Sequence, residues 1–488
     1  MRKRTKIIAT LGPASNSEQR LSELFDAGVD VVRLNFSHGD AKEHRKTMER
    51  IRELARSQQR DIGILVDLQG PKIRIERFQN GAVQLKAGQA FVIDGDADPS
   101  TGSKDGVAVA YRHLARDLRA GQTLLLDDGA IVMDIESVDG SKVHCRVRND
   151  GTLKNRKGLN VLGGGLSAGA LTDADREHMR VAADGNADFV AVSFVRDASD
   201  IRQARETLRA AGSNAQIVAK IERAEAIENL EEIVIASDAV MVARGDLGVE
   251  LGYAELTGLQ KRILRLAQQH FKVTIVATQM MESMIHARIP TRAEVADVSN
   301  AILDGTDAVM LSAETAVGDY PVETVQAMTD ICRGAERYHN PPVGRSLPQR
   351  FEHVDQAVAA AAIITAQRLE ARAVIAFTES GSTAHWLSRV QSPIPIYALT
   401  RFEPSRRRVS LYRGVQPMNF DLMGLQSPDI YYHALAQLHP LQPLRDGDRV
   451  VVTKGDQKGV AGGTNAMKII TINDEVWRHV EPLLEGYA

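Results

Sequence analysis

Short apolar runs of strand length alternate with longer segments of helical periodicity through most of the chain. Eight runs stand out: "KIIATLG" (6–12), "VVRLNFS" (31–37), "GILVDLQ" (63–69), "FVAVSFV" (189–195), "QIVAKIE" (216–222), "AVMVARGD" (239–246), "VTIVATQ" (273–279) and "AVMLSAE" (308–314). Near-continuous apolar strands separated by amphipathic helices such as "RQARETLRAAG" (202–212) predict a parallel sheet covered by helices, and eight such units close a (β/α)8 barrel. Between the third and fourth runs the rhythm changes. Residues 72 to about 165 carry alternating stretches, "AVQLKAGQAFVID" and "TLLLDDGAIVMDIES", divided by Gly and Asp turns, which predicts a small antiparallel β domain inserted in the barrel. After a Pro-rich linker, "NPPVGRSLP" (340–348), a third region opens with the Ala-rich helix "VDQAVAAAAIITAQRLE" (354–370). It continues with strands "AVIAFTE", "PIYALT", "RVVVTKG" and "MKIITIN", again α/β in rhythm.

Composition narrows the setting. With 488 residues, 43% of them hydrophobic, the chain has length for about three domains. A formal net charge of -3, from 60 basic and 63 acidic residues, argues against nucleic acid or membrane as partner. Cys145 and Cys332 are too far apart in sequence to suggest a disulfide framework or zinc site, and the basic N-terminus has too short an apolar run for a signal peptide, so a cytoplasmic protein is expected. No run of about 18 apolar residues suggests a membrane span.

The polar residues of the eight runs gather at their C-terminal ends: Asn35 and Ser37, Asp67, Ser193, Lys220 and Glu222, Arg244 and Asp246, Thr278 and Gln279, Ser312 and Glu314. That face of a (β/α)8 barrel is where active sites are built, and core strands have no packing reason to end this way. Lys220 and Glu222, two apart on one strand, point to the same side. Glu222 and Asp246 are hard oxygen donors suited to Mg2+ or Mn2+ sharing its other positions with substrate and water. Lys220, Arg33 and Arg74 add cations, the setting an anionic, phosphate-bearing substrate needs. Thr278 and Ser312 supply hydroxyls that could hold a water or pass a proton. "ARGDLG" could open a helix whose free N–H groups bind an anion.

The segments "TKIIATLGP", "VVRLNFSHG", "DLQGPKIR", "KIE", "VARGDLGVE", "ATQMMESM", "PTRAEVADVSNAILDG" and "DAVMLSAETAVGDYP", in this order and spacing, closely resemble the pyruvate kinase family. The resemblance implies transfer of the phosphoryl group of phosphoenolpyruvate to ADP, giving pyruvate and ATP. It implies a TIM-barrel catalytic domain (1–71 and 166–345), an inserted β-barrel lid (72–165), a C-terminal α/β regulatory domain (346–488) and a homotetramer. Lys220 matches the residue that neutralises the transferring phosphoryl group and enolate oxygen, and Glu222 and Asp246 match the divalent-ion ligands. Thr278 and Ser312 match the group that protonates the enolate carbon, Arg33 the phosphoryl grip, and the N–H groups of Gly245 and Asp246 the carboxylate site. Asn35, His38, Arg74 and Lys157 match nucleotide-side positions, although "VLGGGLSAG" after Lys157 replaces a Pro-containing segment of many members.

Two departures carry expectations about regulation. Family members that need K+ hold it with groups corresponding to Asn35, Ser37, Asp67 and the Leu68 carbonyl, and usually carry Glu where this chain has Lys72. An ammonium there supplies comparable charge, so K+ is expected not to be required. In "FTESGSTA" (377–384), Thr378, Ser380, Ser382 and Thr383 form a phosphate nest at a strand-to-helix turn. Glu379 should repel a second phosphate, so the expected effector is a sugar monophosphate or AMP. The remaining candidates read more plainly: His38 as a polar strand end, Asp127 and Asp128 as a turn or a lid contact, and Met280, Met281 and Met284 as packing. An inert metabolite sensor on the same fold would show an eroded barrel mouth, and a metal-dependent lyase or aldolase would not explain the lid.

Overall fold

The computed structural model describes residues 3–338, 350–422, 424–425, 428–456 and 462–487. The eight expected runs form eight parallel strands: β1 (Lys6–Thr10), β2 (Val31–Asn35), β3 (Gly63–Asp67), β4 (Phe189–Val192), β5 (Gln216–Ile221), β6 (Ala239–Ala243), β7 (Val273–Ala277) and β8 (Ala308–Leu311). Each pairs with its sequence neighbours, and β1 closes on β8 through Lys6 opposite Ala308. Every strand stops one to three residues before the end of its run: Asn35, Asp67 and Lys220 lie in the last two residues of their strands, while Ser193, Glu222, Asp246, Thr278 and Ser312 follow just beyond.

The surrounding helices follow from local chemistry. The helix Ala198–Ala210 starts where Asp197 accepts hydrogen bonds from the N–H groups of Ser199 and Asp200, four residues before the periodic stretch, and its buried Ile201, Ala204 and Leu208 recur at three- and four-residue steps. Capping boxes at Thr172/Asp175 and Thr291/Glu294 fix two more helix starts.

Eight strands between Ala82 and Val161 interrupt the barrel after β3, in a six-stranded and a two-stranded sheet around one apolar core. Leu166 belongs to that core, so the insertion's packing runs through the segment that rejoins the barrel. An insertion at this point stands over the C-terminal ends of the strands.

The C-terminal region is a five-stranded sheet of β9 (Ala373–Phe377), β10 (Ile396–Thr400), β11 (Val415–Asn419), β12 (Arg449–Gly455) and β13 (Thr464–Thr471), in the order β11-β10-β9-β12-β13 with only β12 and β13 antiparallel. Strand β11 was not expected: "VQPMN" has a proline and little apolar alternation. Its edge position explains it, since an edge strand tolerates Pro417. Side chains inside the barrel, including Val31, Phe189 and Met241, share one apolar cluster with Ile363, Leu387 and Tyr412 of this region. Buried ion pairs cross the same boundary: Arg389 with Asp307, and Arg407 with Asp188 at 2.9 Å. The Pro-rich segment 340–348 lies outside the described residues.

Candidate active site

Lys220 leaves the end of β5 into the barrel mouth. Its ammonium donates to Ser193 Oγ at 2.7 Å and stands 2.9 Å from Glu222 Oε1 and 3.2 Å from Asp67 Oδ1. Burial alone would favour a neutral amine, but the two carboxylates outweigh it and raise the Lys220 pKa, so the cation is fixed. Asp67, 1% exposed, also accepts from Arg33 Nε at 2.7 Å and pairs with Nη2 at 2.6 Å. Burial pushes the Asp67 carboxyl up, yet Lys220 and Arg33 together hold it below the ordinary carboxylate value. Thr10 Oγ1 completes the grip on Arg33 at 2.9 Å. Arg33, Asp67, Lys220, Glu222 and Ser193 therefore form one network from four strand ends.

Glu222 is 1% exposed, and its second oxygen accepts the Phe194 N–H at 2.9 Å. Its pKa is raised by burial; Lys220 opposes the rise and the negative charge of Asp246 adds to it. Asp246 is in the first turn of the helix Arg244–Leu251, which begins directly after β6 as "ARGDLG" implied. The Gly245 N–H donates to Thr278 Oγ1 at 2.9 Å. Thr278 itself adopts φ 67, a conformation that costs a β-branched residue energy, and Gln279 follows at φ 53. Arg244 holds this strained turn by donating to the carbonyls of Thr278 and Gln279 at 2.8 and 3.2 Å while pairing with Asp297 at 2.6 Å. Ser312 sits at the end of β8, where its N–H donates to buried Glu314 at 2.7 Å. Met280, Met281 and Met284 are fully buried, as packing requires.

The remaining candidates are less gathered. The Asn35 side chain accepts the Ser37 N–H at 3.1 Å, and the Leu68 carbonyl accepts the Ser193 hydroxyl at 2.7 Å. His38 is exposed at the rim. On the insertion side, Arg74 donates to the Arg156 carbonyl at 3.0 Å, and Lys157 pairs with Asp127 at 2.8 Å. Asp127 and Asp128 form a turn with φ 52 and 54. Lys72 lines a cleft with Asn160, Phe194, Arg223 and Asp246, between insertion and barrel.

In the C-terminal region, Thr378, Ser380, Ser382 and Thr383 surround the start of the helix Ser382–Arg389. Thr378 Oγ1 accepts the Gly381 N–H at 3.0 Å, and Thr383 Oγ1 bonds Thr464 Oγ1 at 2.6 Å. The Asp355 carboxylate lies 3.5 Å from the Ser382 hydroxyl.

Two family models match the chain: the pyruvate kinase barrel domain over residues 2–325 and the pyruvate kinase alpha/beta domain over residues 356–470. The chain belongs to the pyruvate kinase family. It is 46% identical over 475 residues to pyruvate kinase II of Salmonella typhimurium, spanning 96% of this chain and 99% of that one. It is 40% identical over 477 residues to a pyruvate kinase of Mycobacterium tuberculosis, spanning 97% and 100%. The crystal structure of a pyruvate kinase from Cryptosporidium parvum matches with a TM-score of 0.90 at 33% identity, over 96% of each chain. The chain is accordingly a phosphotransferase enzyme on a (β/α)8 barrel.

Pyruvate kinases generally use a divalent metal. Glu222 and Asp246 fit one: burial raises the Glu222 pKa and the charge of Asp246 adds to that rise, and a hard cation beside the two oxygens would relieve the repulsion. Among the described residues no cluster of three or more His, Cys, Asp and Glu forms a closed cage, and two protein oxygens leave positions for substrate and water. Sequence reasoning did not find Thr10 or the Phe194 N–H, whose roles depend on backbone paths that no local pattern encodes.

Proposed function

We propose that this pyruvate kinase moves the phosphoryl group of phosphoenolpyruvate to ADP at the barrel mouth, with Lys220 as its central fixed cation. The observation that carries the reading is the Lys220 ammonium, buried between Asp67, Glu222 and Ser193 and held protonated there. As the phosphorus–oxygen bond of the substrate breaks and a new one forms to the terminal oxygen of ADP, charge grows on the enolate oxygen, and Lys220 neutralises it in place. Arg33 holds the phosphoryl oxygens. The Gly245 and Asp246 N–H groups take the carboxylate, Gly245 by exchanging its bond to Thr278 Oγ1. Thr278, freed by that exchange, and Ser312 order the water that protonates the enolate carbon. A Mg2+ or Mn2+ ion on Glu222 and Asp246 would supply charge neutralisation at the phosphoryl group. Asn35, His38, Arg74 and Lys157 form the nucleotide side, the last two approaching with the lid.

The division into a catalytic barrel (1–71 and 166–345), a lid (72–165) and a regulatory region (346–488) belongs to this reading. So does independence from K+: Lys72 and Asp246 line one cleft, which supports an ammonium standing in for the cation otherwise held by Asn35, Ser37, Asp67 and the Leu68 carbonyl. The turn around Ser380 and Ser382 is the effector site, and the nearby Asp355 carboxylate adds to Glu379 in favouring a sugar monophosphate or AMP over a bisphosphate. A cytoplasmic homotetramer completes the reading; among the described residues no helix is long and apolar enough to cross a membrane.

The metal assignment is tested by titrating Mn2+ into wild type, Glu222→Gln and Asp246→Asn and reading free Mn2+ by electron paramagnetic resonance. Affinity is expected to fall at least tenfold in each variant. Unchanged binding in both would remove these residues as ligands.

A further inference from the structure

The chain returns from the lid to the barrel through Gly163, Gly164 and Gly165, whose φ values of 83, 82 and 108 are left-handed. Three consecutive residues there make a segment with little backbone restraint of its own, so its course is set by what holds it. The insertion's last strand, Leu159–Val161, ends two residues before.

One short loop, residues 223–225, holds Gly165, Leu166 and Ala168, while Asp117 and Arg196 hold Ser167 between them. Glu225 Oε1 accepts the Gly165 N–H at 2.6 Å. Arg223, 4% exposed, donates through Nη2 to the Leu166 carbonyl at 2.6 Å, through Nη1 to the Ala168 carbonyl at 3.4 Å, and pairs with Glu225 at 3.1 Å. The fit is close: a β-carbon on Gly164 would stand 2.9 Å from the Glu225 carboxylate carbon and from both its oxygens. A second strap comes from Glu250. Its backbone carbonyl accepts the Gly163 N–H at 2.9 Å, and its carboxyl accepts the Ala224 N–H at 2.9 Å, which ties the loop down between Arg223 and Glu225. Glu225 Oε2 is buried and has no hydrogen-bond partner among the described residues, so one oxygen of the carboxylate beside Gly164 is left unused.

This loop continues directly from Glu222. Arg223 follows it in the chain, and Glu225 lies three residues on. We infer that Arg223 and Glu225 are positioning residues: they latch the lid's return segment to the loop that carries Glu222, so that lid attitude and the geometry of the metal site are set together. The inference rests on the assignment of Glu222 as a metal ligand. A pull on Gly165 or Leu166 reaches Glu222 through one to three peptide units, and the Phe194 N–H and Lys220 resist that displacement at the other side of the carboxylate.

The test uses the full-length enzyme and Mn2+ alone, without substrates. Glu225→Ala removes the latch, Glu225→Gln keeps an acceptor for Gly165 but loses the charge paired with Arg223, and Gly164→Ala forces the segment away from the other side. Mn2+ affinity is read by electron paramagnetic resonance and hydrogen exchange across residues 159–170 by mass spectrometry. Glu225→Ala and Gly164→Ala are expected to weaken Mn2+ binding three- to tenfold and to speed exchange at 163–168 at least tenfold, with Glu225→Gln between them and wild type. In turnover, KM for ADP should rise more than kcat falls. Faster exchange with unchanged Mn2+ affinity would make the contact a structural anchor and overturn the coupling, as would no change in either readout. Glu222→Gln run alongside separates the two claims: if it leaves Mn2+ binding intact, the ligand assignment fails; if it abolishes binding while the latch variants bind normally, the latch alone fails. Should Glu225→Ala not fold, Glu225→Gln and Gly164→Ala carry the same comparison.

Discussion

Replacing Lys220 with methionine removes a charge while keeping an unbranched side chain of similar length. Asp67 retains Arg33 at 2.6 Å, so the carboxylate left without a close cationic partner among the described residues is Glu222. Burial already favours the neutral form of Glu222, so proton uptake relieves part of that loss and the barrel should fold. Catalysis has no such relief. A unit charge developing about 4 Å from a fixed cation gains ~4 kcal/mol at an effective dielectric of about 20, and each 1.36 kcal/mol is tenfold in rate, so kcat should fall by about 10³. The assay is pyruvate formation coupled to lactate dehydrogenase, with circular dichroism to confirm folding and Lys220→Arg as a charge-retaining comparison. The arginine variant should keep more activity than methionine and less than wild type, because a planar fork cannot reproduce a point charge between Asp67, Glu222 and Ser193. A folded Lys220→Met enzyme turning over within tenfold of wild type would refute the reasoning.

Substantial activity is expected with Mg2+ in a K+-free bulky ammonium buffer at constant ionic strength, with K+ dependence appearing in Lys72→Glu; an inactive wild type without K+ would contradict this. A titration should show activation by a sugar monophosphate or AMP in preference to fructose 1,6-bisphosphate, and Ser382→Asp should abolish it by placing a further carboxylate at the helix start. Burial pushes the Glu250 carboxyl up to about 7, against the pull of the Ala224 N–H and Arg223. Between its ordinary value of 4.5 and about 7 the unfolded chain releases this proton while the native state keeps it, so the group lowers stability as pH rises, by about 3 kcal/mol in all by pH 8. Glu250→Gln should therefore gain in urea midpoint relative to wild type at pH 8 and gain little at pH 5; equal gains at both would exclude the titration.

Much of the barrel was legible because its rules are local. Apolar strands buried on both faces and polar residues collected at one end specify both the sheet and the side on which chemistry happens, and Lys220 and Glu222 share a face because strands alternate. What escaped the sequence depends on distant partners. Strand β11 holds Pro417 because only one of its edges is paired, which requires knowing the sheet order. Asp67 read as a strand-end carboxylate and a candidate K+ ligand, and only the closed barrel shows it bridging Arg33 and Lys220. The φ of 67 at Thr278 is invisible in "VATQ", since a threonine there is held by Arg244 from the neighbouring strand's end. The three glycines after Val161 were visible as a departure from the family pattern, but the arginine and glutamate that hold them lie some sixty residues further on.

The central claim is phosphoryl transfer from phosphoenolpyruvate to ADP with Lys220 as the fixed charge at the barrel mouth. Phosphorus NMR of a single reaction containing the enzyme, Mg2+, phosphoenolpyruvate and ADP tests it most directly. The account predicts that the phosphoenolpyruvate resonance decays as the γ-phosphate of ATP grows, one for one with pyruvate measured in the same tube, and that Lys220→Met slows both together by about 10³. Phosphate released without ATP, or ATP formed at an undiminished rate by the folded methionine variant, would contradict it.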